Sequence, residues 1–216
     1  MKSKVLLFAL AATTLSLTSK AQVSFGIRAG LNLQNINGKD ISGKDLDTKL
    51  KTGFNIGVNA EMAVAPGFYL QPGVLFSTKG TKVDGGTSDD TKVNVSYIEV
   101  PVNFIFKPAL GPGKLLLGAG PYVAFGVGGK LKSGSDDADI KFKSDITTAE
   151  YGADFYLKRL DVGGNLLVGY ELAKKLSFQL NAQLGMSKIN PNIKDYSADK
   201  TSLKNTGFGI SVGYRF

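Results

Sequence analysis

A strict alternation of large apolar residues with small or polar ones constrains the fold of this chain more than any other feature. The last ten residues read GFGISVGYRF, with Phe208, Ile210, Val212, Tyr214 and Phe216 at every second position. A period of two is typical of a β-strand with one apolar face, whereas an amphipathic helix repeats every 3.6 residues. Because the alternation continues to the final residue, it predicts that this terminus is held in a sheet and not frayed.

Seven further stretches of the chain show the same alternation. Short connections at 65–67, 107–113 and 173–175 alternate with long polar ones at about 34–52, 79–92, 128–150 and 187–204. This regular short–long pattern predicts an antiparallel up-and-down meander in which the last strand pairs with the first. The eight predicted strands cover 23–33, 54–64, 68–78, 97–106, 115–127, 160–172, 176–186 and 207–216.

The composition of the two strand faces decides which environment the apolar face meets. The polar face is dominated by Gly, Ser, Asn, Ala and Gln, which suit the narrow bore of an eight-stranded barrel better than a water-facing sheet. Stretches of about 11 residues are long enough to cross a bilayer when tilted. The sequence therefore predicts an all-β fold, an eight-stranded antiparallel transmembrane β-barrel. The alternative is a soluble β-barrel whose apolar face fills a core.

The beginning of the chain has the pattern of an export signal. Lysines precede an apolar run over 5–17, and the small residues Ser19 and Ala21 follow it. This pattern predicts a cleaved signal peptide at 1–21 and an outer-membrane barrel domain at 22–216. The predicted location is the cell outer membrane.

The C-terminal strand also resembles a targeting signal. A terminal aromatic residue with apolar residues at every second position before it is similar to the signal that the outer-membrane assembly machinery reads. We therefore expect this machinery to be a partner, through Phe208, Ile210, Val212, Tyr214 and Phe216.

Three prolines lie inside predicted strands that have no free edge. Pro72, Pro101 and Pro121 each lack the N–H that a ladder hydrogen bond requires. We expect bulges or rim positions to accommodate them and the alternation to slip nearby.

Charged residues occur on the small, polar face of several strands. Because a single charge in a narrow bore is costly, these residues should pair with one another or contact trapped water. The predicted lumen network locks the barrel as a structural plug; the alternative is a path for protons or small ions. Its members are Arg28, Glu61, Glu99, Asp161 and Arg215.

The composition excludes the commonest catalytic chemistries. The chain has no His and no Cys, so neither a histidine base nor a thiol nucleophile is available. The acidic run Asp136, Asp137 and Asp139 lacks the spacing of a calcium-binding loop, and solvated loop acids are the preferred interpretation. We expect no enzyme activity, no cofactor and no metal.

The positive charge of the chain points to an anionic surface. The formal net charge is +8 at pH 7, but export makes nucleic acid an improbable partner, so we expect none. The predicted partners are outer-membrane lipid and the phosphates of lipopolysaccharide; no envelope protein partner can be named. The lysines proposed for this contact are Lys39, Lys44, Lys49, Lys51, Lys130, Lys132, Lys141 and Lys143.

Three motifs in order resemble one family. YIEVPVNFIFKP at 97–108, LLGAGPYVAFG at 116–126 and DVGGNLLVGYEL at 161–172 are similar to successive strands of the PorT-like outer-membrane barrels common in Bacteroidetes. The seventh strand departs from that family because it lacks an Arg-Tyr pair. The resemblance implies a small barrel of OmpA/OmpX-like architecture and carries little information about activity.

The sequence thus favours a non-enzymatic role in the outer membrane. We expect structural support or surface interaction through four long external loops, around a polar and plugged lumen. The alternative function is a porin-like narrow pore or a carrier of small apolar solutes.

Overall fold

The computed structural model describes residues 23–83, 91–134, 136–172, 175–194, 196 and 199–216. The predicted signal peptide lies outside these residues. Every regular element within the described residues is a β-strand. No helix in that part of the chain is long and apolar enough to span a membrane.

Eight long strands form one closed antiparallel sheet. Each strand pairs with its neighbours in sequence, and the last strand pairs with the first, with Ile27 opposite Tyr214 and Leu33 opposite Phe208. Closure leaves no free edge, which is the condition for a sheet to cross a bilayer. The strands are β1 Val23–Lys39, β2 Lys51–Ala65, β3 Phe68–Val83, β4 Thr91–Phe106, β5 Gly113–Ser133, β6 Leu160–Leu172, β7 Leu176–Gly185 and β8 Ser202–Arg215.

The bulky side of the sheet faces outward, as predicted. Phe208, Val168 and Leu180 are 53%, 50% and 63% exposed, so they lie on the outer surface and not in a protein core. A continuous exposed apolar belt of this kind is stable only against lipid. The prediction of an eight-stranded transmembrane barrel is therefore confirmed, and the soluble alternative is wrong.

Several strands are longer than predicted, mainly toward the end of the barrel that carries the long connections. This end is called the outer end, and the opposite one the inner end. β1 continues six residues beyond the predicted limit to Lys39, and β5 continues to Ser133. Alternation fades there because the wall is no longer in contact with lipid. Short additional strands occur at Ala109–Leu110, Asp136–Asp139, Lys141–Phe142, Asp145–Ile146, Tyr156–Leu157 and Asn192–Ile193.

The three prolines do not shift the alternation, contrary to expectation. Strand pairing is interrupted beside Pro101 and Pro121, but the register is the same on both sides of each interruption. The register shifts lie elsewhere, between Ala63 and Ala65 and between Ser96 and Tyr97. A missing N–H thus removes individual ladder bonds here without requiring an extra residue.

Aromatic rings gather at the inner rim. Phe68 stacks on Phe106 with ring centroids 4.7 Å apart, and Tyr214 meets Phe216 edge-on at 5.7 Å. Such rings are enriched where a barrel leaves the hydrocarbon layer.

Candidate functional site in the lumen

Two groups of charged side chains lie inside the barrel, one nearer each end. The outer cluster consists of Lys79, Glu99 and Asp161. The inner cluster consists of Glu61, Lys107, Glu171 and Arg215. Both are buried, so their charges act on one another with little screening by solvent.

The strand register builds the outer cluster. Glu99 on β4 and Asp161 on β6 both lie opposite Ala124 of the intervening strand, so the two carboxylates face the lumen at one level. The small Ala124 leaves space between them. Lys79, whose side chain has no solvent exposure, fills that space, with its Nζ 3.1 Å from Glu99 Oε2 and 3.2 Å from Asp161 Oδ2.

Neutral polar groups complete the coordination of the outer cluster. Asp161 Oδ2 also accepts hydrogen bonds from Tyr122 Oη at 3.2 Å and from Asn205 Nδ2 at 2.9 Å. Glu99 Oε1 accepts from Gln183 Nε2 at 2.7 Å. The ammonium group lies 4.3 Å from the centroid of the Tyr122 ring, a cation–π distance.

Glycine makes the position of one of these rings possible. Gly163 lies opposite Tyr122, and a Cβ atom built at Gly163 would meet the backbone carbonyl oxygen of Leu184 and come within 2.7 Å of the Tyr122 ring and 2.8 Å of its hydroxyl. The small lumen-facing residues therefore fit the large cluster side chains. At the level of the sequence, the run of small residues on the polar strand face was the sign that large side chains from other strands occupy the lumen.

The inner cluster is a four-membered network. Lys107 Nζ is 2.7 Å from Glu61 Oε2 and 2.7 Å from Glu171 Oε2. Arg215 Nη2 is 3.0 Å from Glu61 Oε2, and Gln71 Nε2 donates to the same oxygen at 3.2 Å. Two cations thus balance two anions across the inner mouth.

A small polar cavity separates the two clusters. Its volume is about 40 Å³, which is room for about three water molecules. Arg28 and Glu99 both line it, and so do the amides of Asn32, Gln34 and Asn103, whose side-chain oxygens have no hydrogen-bond partner within the described part of the chain. A polar cavity of this size has room for a few water molecules but is too small for a continuous aqueous channel.

Apolar side chains close the outer end above the outer cluster. Ile140, Leu157 and Ile189, here called the outer plug, come from the two longest connections and are at least 94% buried. They pack against Tyr97 and Tyr122 in one cluster. Backbone hydrogen bonds fix the plug: Ile189 N donates to Leu203 O at 2.9 Å, and Lys158 N donates to Ile189 O at 2.7 Å.

The structure distributes the five predicted lumen residues over the whole interior. Glu99 and Asp161 meet in the outer cluster, Glu61 and Arg215 meet in the inner cluster, and Arg28 lines the cavity between them. The five therefore do not form one network.

Three charged partners were missed at the sequence level. Lys79 fell in a predicted loop because β3 is longer than expected, and Lys107 fell in a predicted connection just beyond β4. Glu171 carried a readable signal, since it shares the lumen-facing alternation of Asp161 on the same strand.

The candidate metal ligands do not form a site. Within the residues that the structure describes, no three acidic, His or Cys side chains could hold an ion together. Asp136, Asp137 and Asp139 form an exposed edge strand, and Asp137 pairs with Lys132 at 3.0 Å and with Lys130 at 3.8 Å. This agrees with the interpretation as solvated loop acids.

The closed sheet, its exposed apolar belt and its charged interior define an outer-membrane β-barrel. The chain is similar to Neisserial surface protein A, with 14% identity over 90% of this chain and 99% of that one and a TM-score of 0.47. It is also similar to OprG from Pseudomonas aeruginosa, with 14% identity over 91% and 97% and a TM-score of 0.49. No protein of curated function matches its sequence.

A family match covers most of the chain. Residues 16–191 match the family described as the outer membrane protein beta-barrel domain. The chain belongs to this family. The outer membrane is therefore its location, while the narrower PorT-like resemblance is not established by the match.

Proposed function

We propose that this protein is a non-enzymatic outer-membrane barrel that acts through its outer surface and does not conduct solutes. The observation that carries the proposal is the closure of the interior at three levels: the inner cluster, the outer cluster and the outer plug. Buried ion pairs and well-packed apolar side chains both oppose the passage of hydrated ions. The lumen network then has a structural role, as a lock on the barrel.

The outer end is built as an ordered surface. The connection between β5 and β6 is tied to the connection between β7 and β8, with Asn192 N donating to Ser144 O at 2.9 Å and Lys194 N donating to Ile146 O at 2.8 Å. Lys141 pairs with Asp154 at 2.5 Å on the same surface, and Lys143 pairs with Glu150. An ordered, solvent-facing surface on a rigid scaffold suits recognition.

Planar-bilayer recording of the purified, refolded protein tests the proposal. We expect no current steps, because neither cluster leaves a continuous open path. Heat-dependent gel migration of the same preparation must show that the inserted protein is folded. Reproducible steps from a folded preparation would overturn the proposal and favour the narrow pore.

The alternative of a small apolar-solute carrier has one observation in its favour. A cleft of about 400 Å³ opens among the outer connections, and apolar side chains form much of its lining, including Leu46, Ile146, Tyr151 and Phe155. Its size lies within the range of small-molecule sites. Solute binding that leaves the bilayer silent would be consistent with a surface site, whereas uptake into sealed vesicles would support a carrier.

The proposal also covers how the protein reaches the outer membrane, which narrower family it resembles and what it contacts there. We propose export by a cleaved signal peptide, kinship with the PorT-like barrels, and assembly through the terminal strand that ends at Phe216. The proposed lipid partner is lipopolysaccharide. Lys141 and Lys143 each pair with a loop acid of their own, so these two lysines are weaker candidates for that contact than the sequence alone suggests. Lys130 and Lys132 share the single carboxylate of Asp137, at 3.8 and 3.0 Å, so positive charge remains in excess there.

A further inference from the structure

Strand register aligns lysines across the outer part of the barrel wall. Lys82 on β3 lies directly opposite Lys92 on β4, and Lys92 lies directly opposite Lys132 on β5. Lys49 continues the line, since its backbone exchanges hydrogen bonds of 2.7 and 3.1 Å with Lys82. Neighbouring strands are about 4.8 Å apart, so the three barrel lysines, here called the lysine row, span about 10 Å.

The lysine row faces away from the barrel axis. Thr81 and Val93, next to Lys82 and Lys92 in sequence, are 3% and 5% exposed and point inward. Because side chains alternate along a strand, the lysines point outward. Ile98, which is six residues from Lys92 on the same face, is exposed on the lipid-facing belt. The row therefore stands on the same side of the wall as the surrounding lipid.

Within the residues that the structure describes, Lys82 and Lys92 form no ion pair. Like charges directly opposite each other destabilise a sheet. Within the described part of the chain, the acid that pairs with a member of the row is Asp137, at 3.0 Å from Lys132. The nearby Lys51 reflects the same excess, because burial and then the charge of Lys82 lower the pKa of its ammonium group. Two consecutive like-charge pairs on one face favour the binding of an anion there.

The height of the row decides which anion it meets. Six residues at about 3.3 Å each, on a strand tilted by about 40°, place Lys92 roughly 15 Å above Ile98. A phospholipid head-group layer is only about 5–7 Å thick on each side of the bilayer. Even with side chains bent toward the membrane, the row lies above simple phospholipid phosphates. The matching anion belongs to a lipid whose head group extends further.

We propose that Lys82, Lys92 and Lys132 bind the phosphorylated sugar head group of the outer-leaflet glycolipid, lipopolysaccharide, beside the barrel. This inference deepens the lipid contact in the proposed function and rests on it. Lysine suits this role because its compact charge attracts phosphate without a fixed bonding geometry. The row would hold a band of glycolipid against β3–β5 and leave the opposite wall free.

Binding of purified lipopolysaccharide to the full protein in detergent micelles tests the proposal. The row variant carries Lys82→Gln, Lys92→Gln and Lys132→Gln. The matched control carries Lys188→Gln, Lys194→Gln and Lys200→Gln, which remove the same charge from exposed positions of the connection between β7 and β8. At roughly fivefold per lysine near an anionic surface, we expect about 100-fold weaker binding for the row variant and less than threefold for the control.

Two further ligands separate the sources of the anion. Dephosphorylated lipopolysaccharide should bind wild type and row variant equally weakly. Inorganic polyphosphate is the soluble comparison: row-dependent binding of polyphosphate without row-dependent binding of lipopolysaccharide would overturn the glycolipid assignment. An equal loss in the row variant and the matched control would also overturn it, because net charge alone would then explain binding.

A single substitution tests the repulsion on which the inference depends. Lys92→Glu places a carboxylate between Lys82 and Lys132, so it should stabilise the barrel against urea in ligand-free detergent while weakening lipopolysaccharide binding. Unchanged or lower stability would contradict the repulsion. If the binding test or the stability test fails, the proposal for the lysine row fails, but the proposal of a closed barrel does not. Current steps in the bilayer recordings would refute the closed barrel, whatever the lysine row binds.

Discussion

Replacing Lys79 with methionine should destabilise the barrel more than any other single lysine substitution in the outer half of the lumen. The substitution keeps the length of the side chain and removes its charge. Glu99 and Asp161 then face each other across Ala124 without the ammonium group that lies 3.1 and 3.2 Å from them. Both carboxylates remain buried, at 3% and 0% exposure.

The distances give the expected magnitude. At an effective dielectric constant near 20, a pair of unit charges 3.1–3.2 Å apart attracts by about 5 kcal/mol, and desolvation offsets much of this energy. Removing one partner of a buried pair typically costs about 3–5 kcal/mol, because the remaining charge is left uncompensated. We expect a loss in the free energy of unfolding within that range for Lys79→Met.

Urea unfolding of the protein in lipid vesicles, followed by heat-dependent gel migration, measures this loss. Glu99→Gln alone should cost about 1.5–3 kcal/mol, because it removes a charged partner while leaving a neutral side chain of the same shape. Adding Glu99→Gln to Lys79→Met should recover part of the loss, since one unpaired carboxylate disappears. Lys44→Met, on an exposed loop, is the control and should change stability by no more than about 0.5 kcal/mol.

A loss below about 1 kcal/mol for Lys79→Met would refute the reasoning. So would strict additivity of the two substitutions, because it would mean that Lys79 and Glu99 do not interact in the folded barrel. In either case the lumen network would not lock the barrel, and the structural role proposed for it would fail.

Three further predictions concern other parts of the molecule. Gly163→Ala should lower stability by about 1–3 kcal/mol in the same urea assay, because the added Cβ meets the carbonyl oxygen of Leu184 and the ring of Tyr122; an unchanged midpoint would show that both the strand pair and the ring can shift. Deleting Phe216 should slow assembly into vesicles that contain the assembly machinery but not spontaneous refolding in detergent, and equal slowing in both would contradict a signalling role. The hydrogen bond from Lys141 lowers the pKa of the Asp154 carboxyl, so that pair should persist at neutral pH and be lost as the pH falls below about 4; the protection of amides in the β5–β6 connection, relative to their intrinsic exchange rates, should fall there, and protection that does not change with pH would contradict this.

The sequence by itself determined the strand count, the closed meander and the side of the sheet that faces lipid. Each of these depends on a period of two residues, which is local and can be read without knowing any partner. The same alternation was enough to place Glu99 and Asp161 on the inner face, and it also applied to Glu171. The strand ends at Lys39 and Ser133 were not readable, because outside the membrane neither face of the wall must be apolar.

The tertiary structure alone decided which inward charges meet. Lys79 reaches residues 20 and 82 positions away in the chain because β3, β4 and β6 lie around one narrow bore. Lys107, from beyond the end of a strand, joins Glu61 and Glu171 for the same reason. Pairing of this kind depends on register around a closed ring, and register is a property of all eight strands together.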